Sequence, residues 1–190
     1  LSPVASYTNE VGVAVVDIAV DPNDWRNVFV LDANGDIWFS PNGGQAGAFS
    51  GVGGPTSVFW KNLGAQLTAL PGTDLLQQIV VENVGGDLVV LVGGQGGVFR
   101  SIDEGPWHEY GKGMPNAMAT SLERIGGGDD LLLVGTYGRG AWTLPDASDT
   151  LSLAGTLTIT GSDGDDYFVL ERSALEPWML DVFQYLDGEV

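Results

Sequence analysis

Short apolar runs separated by glycine-rich turns recur along the first 145 residues of the chain. Three segments show the pattern most clearly, and each combines an apolar run, a glycine-containing turn and a second run with an aromatic residue: 28–40, 89–101 and 131–144. Apolar runs of this length between turn residues are typical of β-strands. Because the pattern appears three times, it predicts a chain built from repeated β-units.

The spacing of the aromatic-bearing strands indicates the size of the repeat. The strands that begin at Val98 and Ala141 lie 43 positions apart, which agrees with the roughly 40–50 residues of a four-stranded propeller blade. The strand that begins at Ile37 precedes Val98 by 61 positions, and the glycine-rich stretch 41–55 accounts for most of the excess. The sequence therefore predicts propeller-type blades, with an insertion in the first.

Two complete units and one incomplete unit are expected. The predicted strands are 16–20, 27–31, 36–40 and 57–62 in the first unit, 77–82, 87–92, 97–101 and 107–110 in the second, and 120–125, 130–136 and 140–144 in the third. The third unit lacks a fourth strand, and residues 1–10 are a candidate to supply it. Three blades are too few for a closed propeller, which has about four to eight.

The expected fold class is therefore all-β, with about three β-propeller-type blades of an incomplete propeller followed by a small β-module. The blades occupy 1–145, a linker occupies 146–150, and a small acidic β-module occupies 151–190. The chain begins at Leu1 and not at methionine. We therefore expect it to be a piece of a longer protein.

One motif in the second unit resembles a known family. Residues 101–107 read Ser-Ile-Asp-Glu-Gly-Pro-Trp. This resembles the Ser-x-Asp-x-Gly-x-x-Trp signature of Asp-box (BNR-type) propellers, such as sortilin-like and xyloglucanase-like proteins, with one residue fewer before the tryptophan. Residues 40–44 with Trp60 look like a degenerate copy, and 135–142 is similar to a Gly-Thr-Tyr-Gly-Arg-Gly-Val-Trp stretch of these propellers. The resemblance implies a propeller fold over about residues 14–145, but this fold serves many functions.

The motif is chemically suited to a turn. The Asp103 carboxylate can accept backbone N–H bonds, Gly105 permits a positive φ, and Trp107 can fill the space between neighbouring sheets. Ser101 completes the set. We expect these four residues to have a structural role at the rim of a blade.

The tail contains a candidate calcium turn. Residues 161–169 resemble the calcium-binding nonapeptide of RTX-type bacterial exoproteins, with serine in place of the second glycine. Asp163, Asp165 and Asp166 would be the candidate metal ligands, because calcium takes six to eight oxygen ligands. RTX calcium is shared between successive turns and this chain has one. A plain acidic β-turn is therefore the alternative.

Charge and composition exclude several classes of function. The formal net charge of −18 opposes binding to nucleic acid and to anionic membranes. The absence of cysteine excludes a disulfide framework and a zinc–thiolate site. No run of 18 apolar residues is present, so the sequence predicts no membrane-spanning segment.

Candidate catalytic chemistry is sparse. His108 is the single histidine and supports no catalytic trio, and the five arginines are dispersed. Carboxylate pairs for glycoside hydrolysis are available among 25 acidic residues, for example Asp21, Asp24, Asp32 and Asp36, but this abundance makes coincidence easy. No catalytic residue is assigned. Trp25, in an exposed polar turn, is a candidate contact for carbohydrate.

The function expected from the sequence is a non-catalytic interaction or scaffold segment of a large secreted or cell-surface bacterial protein. Its partners would be other protein segments or further blades of the same protein, joined through open sheet edges. Two alternatives to this function stay open. In the first, the chain is a fragment of a propeller glycoside hydrolase. In the second, it is a calcium-dependent module that binds polysaccharide.

Overall fold

The computed structural model describes residues 13–44, 60–111, 113–114, 116–152, 167–172 and 180–185. The chain forms two compact units, Leu1–Gly155 and Thr156–Val190. Within the described residues no helix is long and apolar enough to cross a membrane.

The first unit contains three antiparallel sheets in sequence order. The first sheet consists of β1 (Val15–Val20), β2 (Val28–Asp32), β3 (Ile37–Ser40) and β4 (Lys61–Asn62). The second sheet consists of β5 (Leu76–Val84), β6 (Asp87–Gly94), β7 (Gly97–Ile102) and β8 (His108–Tyr110). The third sheet consists of β9 (Ala119–Ile125), β10 (Leu131–Thr136) and β11 (Gly140–Leu144). A short 3-10 helix, Gly64–Ala69, joins the first sheet to the second.

Each strand of these sheets pairs with the next one along the chain, as in a propeller blade. The prediction of an all-β fold with about three propeller-type blades is confirmed. The third sheet has three strands within the described part of the chain, as the pattern indicated. The predicted fourth strand of the first sheet is described only from Trp60 onward, where β4 is two residues long. The candidate strand 1–10 lies outside the described residues.

Two apolar cores lie between successive sheets. In the first core the rings of Phe29 and Phe39 stack with their centroids 4.7 Å apart, beside buried residues of the second sheet. The buried members of the first core are Phe29, Leu31, Ile37, Phe39, Leu67, Leu76, Ile79, Val81, Val90, Val92, Phe99 and Trp107. Those of the second core are Val84, Val89, Leu91, Val98, Tyr110, Ala119, Leu122, Leu132, Val134, Ala147 and Leu151. The middle sheet therefore contributes to both cores.

The segment predicted as a linker, 146–150, overlaps a short helix that contributes to the second core. Residues Ala147–Leu151 form a short helix, α1, and both Ala147 and Leu151 are fully buried. The backbone N–H of Ala147 donates to the carbonyl of Asp130 at 3.0 Å, which ties the start of α1 to the third sheet. The compact unit consequently extends to Gly155.

The second unit contains a two-stranded hairpin within the region predicted as a small β-module. Strand β12 (Tyr167–Arg172) pairs antiparallel with β13 (Leu180–Tyr185), and Tyr167 is opposite Tyr185. The candidate calcium ligands Asp163, Asp165 and Asp166 lie outside the described residues.

Candidate interaction surfaces

The turn between β7 and β8 contains the four residues of the Ser-to-Trp motif. The Asp103 carboxylate accepts the backbone N–H of Leu88 at 2.9 Å, and the N–H of Asp103 donates to the carbonyl of Leu88 at 2.9 Å. The Ser101 hydroxyl donates to the carbonyl of Gly105 at 2.8 Å, and the N–H of Gly105 donates to the carbonyl of Ile102 at 2.8 Å. The motif is thus a closed turn that is also bonded to the neighbouring strand β6.

The conformational role expected of Gly105 was wrong. The positive φ angles of this turn belong to Asp103 (49°) and Glu104 (58°), whereas Gly105 has no positive φ. Glycine is favoured at position 105 for another reason. An added Cβ would lie 2.8 Å from the carbonyl oxygen of Ile102, closer than real side chains approach.

Trp107 connects the second sheet to the chain that follows the first sheet. Its side chain belongs to the first core and is 4% exposed. Its indole N–H donates to the carbonyl of Leu63 at 2.7 Å. A surface ion pair between Lys61 and Glu104, at 2.5 Å, joins the same two regions. The motif therefore contributes to the contact between sheets.

The corresponding turn of the first sheet is built around Ser40. Its hydroxyl donates to the side-chain oxygen of Asn42 at 2.7 Å and accepts the N–H of Gly44 at 3.1 Å. Gly43 and Gly44 have φ values of 68° and 69°, which few other residues adopt. Position 43 is further restricted, because a Cβ there would lie 2.9 Å from the ring of Trp25.

Trp25, the candidate carbohydrate contact, is 65% exposed. One side of its ring lies against Gly43, so the indole is supported by the protein while much of it faces solvent. The turn that contains it is fixed by Asp24, whose carboxylate pairs with the Arg26 guanidinium at 2.6 Å. The exposed part of an indole is a surface on which the apolar face of a sugar ring can stack.

Two of the four candidate hydrolytic carboxylates, Asp21 and Asp32, are engaged in separate turns. Asp21 is 5% exposed and accepts bonds from the side chain of Asn27 at 2.8 Å and from the side chain of Asn83. Burial acts to raise the pKa of Asp21, but the hydrogen bonds, led by that of Asn27, outweigh it and lower the pKa. Asp32 accepts the backbone N–H of Asn34 at 3.0 Å. The two carboxylates therefore stabilise turns and do not form a general acid–base pair.

A polar layer attaches α1 to the second and third sheets. Arg100 lies 5.1 Å from the centre of the Tyr110 ring and donates to the carbonyl of Thr150. The Tyr110 hydroxyl is hydrogen-bonded to the Thr150 hydroxyl at 2.8 Å. His108, on the same face, is half-buried, and burial together with the Arg100 charge lowers its pKa. These groups have structural partners within the polar layer.

Asp130, in the turn between β9 and β10, links the third sheet to α1. It pairs with Arg124 and accepts the backbone N–H of Ser148 at 3.1 Å. The Ser148 hydroxyl also donates to Asp130, and this bond is the main cause of the lowered pKa of Asp130. Arg124 and Arg100 thus have separate partners, and no convergent arginine site exists among the described side chains. Likewise, the described residues contain no group of three or more metal-ligating side chains.

A cleft of about 400 Å³ lies at the end of the second sheet that carries the β6–β7 turn. Its walls combine glycine-rich backbone with a few polar side chains: Asp74, Gln95, Glu109 and Asn116. Among the described residues, no cationic side chain lines it.

Strand β1 exposes apolar side chains on one face of the first sheet. Val16, Ile18 and Val20 are 40%, 57% and 46% exposed. The register pairs Ile18 with Val30, which is only 4% exposed, so the exposed apolar surface is confined to β1. Sequence reasoning missed this face, although the alternating apolar residues of β1 were a signal for it.

One edge of the third sheet has no described neighbour. Strand β11 pairs with β10 on one side, and no described strand pairs with its other side. Trp142 of β11 is 39% exposed, and a hollow of about 140 Å³ beside the strand is lined by Met114, Leu132, Val134 and Leu144 among others. An unpaired edge strand beside apolar side chains is a template for strand addition.

Comparison with known proteins gives one structural neighbour to report. No protein-family model matches the chain. No curated protein matches it either. Among solved structures, YCF48 from Cyanidioschyzon merolae is similar over 96% of this chain and 56% of that chain, with 13% sequence identity and a TM-score of 0.44. The chain therefore spans about half the length of that protein.

Proposed function

We propose that this chain is a non-catalytic scaffold segment whose open blade surfaces assemble with other protein segments. The observation that carries the proposal is a difference in burial at equivalent positions. Ile79 of β5 and Leu122 of β9 are each 3% exposed, because a preceding sheet covers them. Ile18, the matching residue of β1, is 57% exposed.

The exposed face is chemically suited to protein contact. Burying apolar surface stabilises an interface by about 25 cal/mol per Å², and contiguous exposed apolar residues are uncommon unless they bind something. The edge of β11, which no described strand pairs with, is a second candidate surface for strand addition. We extend the proposal to an Asp-box identity for the Ser101–Trp107 turn and to a secreted or cell-surface setting, both of which are supported by the sequence resemblance.

Light scattering after size-exclusion chromatography tests this function. The 20.0 kDa chain is expected to form a defined oligomer that returns to monomer in an Ile18→Lys variant. A Leu75→Lys variant is the matched control, because Leu75 is 46% exposed on another part of the molecule. A wild-type chain that stays monomeric up to about 200 μM would contradict assembly through its own surfaces; tight interfaces bind well below that concentration.

The same experiment with calcium and then with chelator tests the proposed calcium turn. Loss of the oligomer in chelator would support ligation by Asp163, Asp165 and Asp166. An oligomer that is unaffected by chelator would support the plain acidic turn.

A second candidate function, polysaccharide binding, is favoured by the exposure of Trp25. An indole that is supported on one side and open on the other is a suitable platform for a sugar ring. Oligosaccharide should then quench tryptophan fluorescence in the wild type and not in Trp25→Ala. Equal quenching in the two proteins would exclude this site.

A further inference from the structure

Helix α1 is attached to two sheets, and each of its ends has a separate attachment. At its start, the Asp130 carboxylate of the third sheet accepts the backbone N–H of Ser148 at 3.1 Å. At its end, the Tyr110 hydroxyl of the second sheet is hydrogen-bonded to the Thr150 hydroxyl at 2.8 Å. Arg100 of the second sheet donates to the Thr150 carbonyl. The helix therefore fastens the second sheet to the third.

The end of α1 that meets the second sheet also covers apolar surface. Leu151 is fully buried in the second core, and the Ser152 hydroxyl donates to the Asp87 carboxylate at 3.0 Å. Thr150, between these contacts and the start of the helix, is exposed. A helix of five residues is not stable by itself, so the position of Leu151 depends on these tertiary contacts.

A histidine lies beside the arginine that holds Thr150. The register pairs Arg100 of β7 with His108 of β8, and residues paired in this way share one face of the sheet. The Arg100 guanidinium lies 5.1 Å from the centre of the Tyr110 ring and bonds to Thr150, so two partners fix its position. Protonation of His108 would therefore place a second positive charge beside a cation that is held in place.

The surroundings of His108 favour its neutral form. Burial and then the Arg100 charge lower the pKa of His108. The other charged or titratable groups on the elements packed around this face are Glu109 and Tyr110 of β8, Asp87 of β6, Arg124 and Asp130 of the third sheet, and Asp146 and Asp149 of α1. None of these groups contributes to the shift in the pKa of His108. Arg100 is therefore the charge through which His108 acts.

We propose that α1 is an acid-released latch, in which protonation of His108 displaces Arg100 from Thr150 and frees the Leu151 end of the helix. This inference goes beyond the proposed assembly function and does not depend on it. A histidine in water titrates at about pH 6.5. Because the latched state disfavours the protonated form, the latch weakens as the pH falls below about 6.5, until it reaches the lower pKa of the latched state.

The start of α1 keeps its attachment over the same pH range. The hydrogen bond from the Ser148 side chain is the main cause that lowers the pKa of Asp130 below its ordinary value of 3.8. Asp130 consequently stays ionised while His108 titrates. The Asp130–Ser148 contact then acts as the hinge of the latch, and release exposes Leu151 together with the part of the second core that it covers.

Thiol labelling measures the release directly, because the wild-type chain has no cysteine. A Leu151→Cys variant is labelled with a pyridyl disulfide, which reacts at acid and neutral pH. Its rate is divided at each pH by that of Leu75→Cys, since Leu75 is 46% exposed and reports an accessible thiol. This relative rate should rise at least about threefold from about pH 7.5 to about pH 5, the factor for two like charges about 6 Å apart in water.

Two variants test whether His108 causes the rise. The Leu151→Cys, His108→Gln double variant cannot gain the charge, so its relative rate should be the same at both pH values. The Leu151→Cys, His108→Lys double variant carries the charge throughout, so its relative rate should be raised at both. An equal rise in the His108→Gln background would overturn the latch.

A third variant and the wild-type chain separate local release from other effects. Val92 is fully buried in the first core, to which α1 does not belong, so a Val92→Cys thiol should stay protected at about pH 5. Amide hydrogen exchange of wild-type residues 147–152, corrected for the intrinsic effect of pH, should show the same loss of protection without any cysteine. Unchanged protection there, or equal labelling of Val92→Cys, would overturn the latch and leave the assembly function standing, which the oligomeric state tests.

Discussion

At the scale of single residues, the β7–β8 turn shows how close packing can require glycine without an unusual backbone angle. A Cβ at Gly105 would approach the Ile102 carbonyl oxygen to 2.8 Å, and that carbonyl already accepts the Gly105 N–H. We expect Gly105→Ala to lower the free energy of unfolding by about 1–3 kcal/mol, since overpacking a constrained site has this cost. Urea unfolding followed by tryptophan fluorescence measures the change.

The control for this prediction is Gly126→Ala. Position 126 has no positive φ, and a Cβ there would meet no atom within 4 Å. Its effect should stay within about 0.5 kcal/mol, as for most surface substitutions. Similar destabilisation by the two alanines would mean that the close contact with the Ile102 carbonyl does not account for the need for glycine at position 105.

The residues of this turn also show what sequence alone can supply. The side-chain types of Ser101, Asp103 and Trp107 indicated a hydrogen-bonded turn. Serine and aspartate side chains can bond to the backbone of a turn, and tryptophan can fill the space between sheets. The distribution of φ angles was not predictable, because it depends on how the turn meets β6. The structure places the positive φ on Asp103 and Glu104.

At the scale of elements, α1 owes its existence to tertiary contacts. A helix of five residues is too short to be stable alone, because helix nucleation is unfavourable. Leu151 is fully buried in the second core. Leu151→Ala should therefore reduce the free energy of unfolding by about 2–5 kcal/mol, the usual range for truncating a buried leucine.

Leu75→Ala provides the comparison in the same unfolding assay. Leu75 is 46% exposed, so its truncation should cost no more than about 0.5 kcal/mol. Equal effects of the two alanines would indicate that Leu151 adds nothing to stability and that 146–150 behaves as the linker that the sequence predicted.

The strands were predictable from the sequence, and the contacts between sheets were not. Apolar runs bounded by glycine define strands such as β6 and β10 because burial and turn chemistry act locally. The side chains of Asp17 and Gln78 accept the backbone N–H groups of Ile79 and Leu122 in the next sheet. Each acceptor follows a one-residue register shift that leaves no mark in the hydrophobic pattern. The exposed apolar side chains of β1 become visible only when Ile18 is compared with its buried counterparts Ile79 and Leu122.

At the scale of the whole molecule, the net charge of −18 opposes compaction. Few cations offset it, and the ion pairs Arg26–Asp24 and Lys61–Glu104 are largely exposed, where such pairs stabilise little. Added NaCl screens repulsion between separated surface charges, since the Debye length falls from about 30 Å at 0.01 M to about 10 Å at 0.1 M. Salt is therefore expected to stabilise this protein.

We predict that raising NaCl from 20 to 500 mM increases the unfolding temperature by about 2–8 °C, which corresponds to about 1–2 kcal/mol for a chain of this size. Differential scanning calorimetry at two protein concentrations separates this effect from any change in assembly. An Asp74→Asn, Asp129→Asn variant removes two exposed charges and should show a smaller increase. An unfolding temperature that falls with salt would instead show that specific ion pairs, such as Arg124–Asp130, contribute more to stability than the overall repulsion takes away.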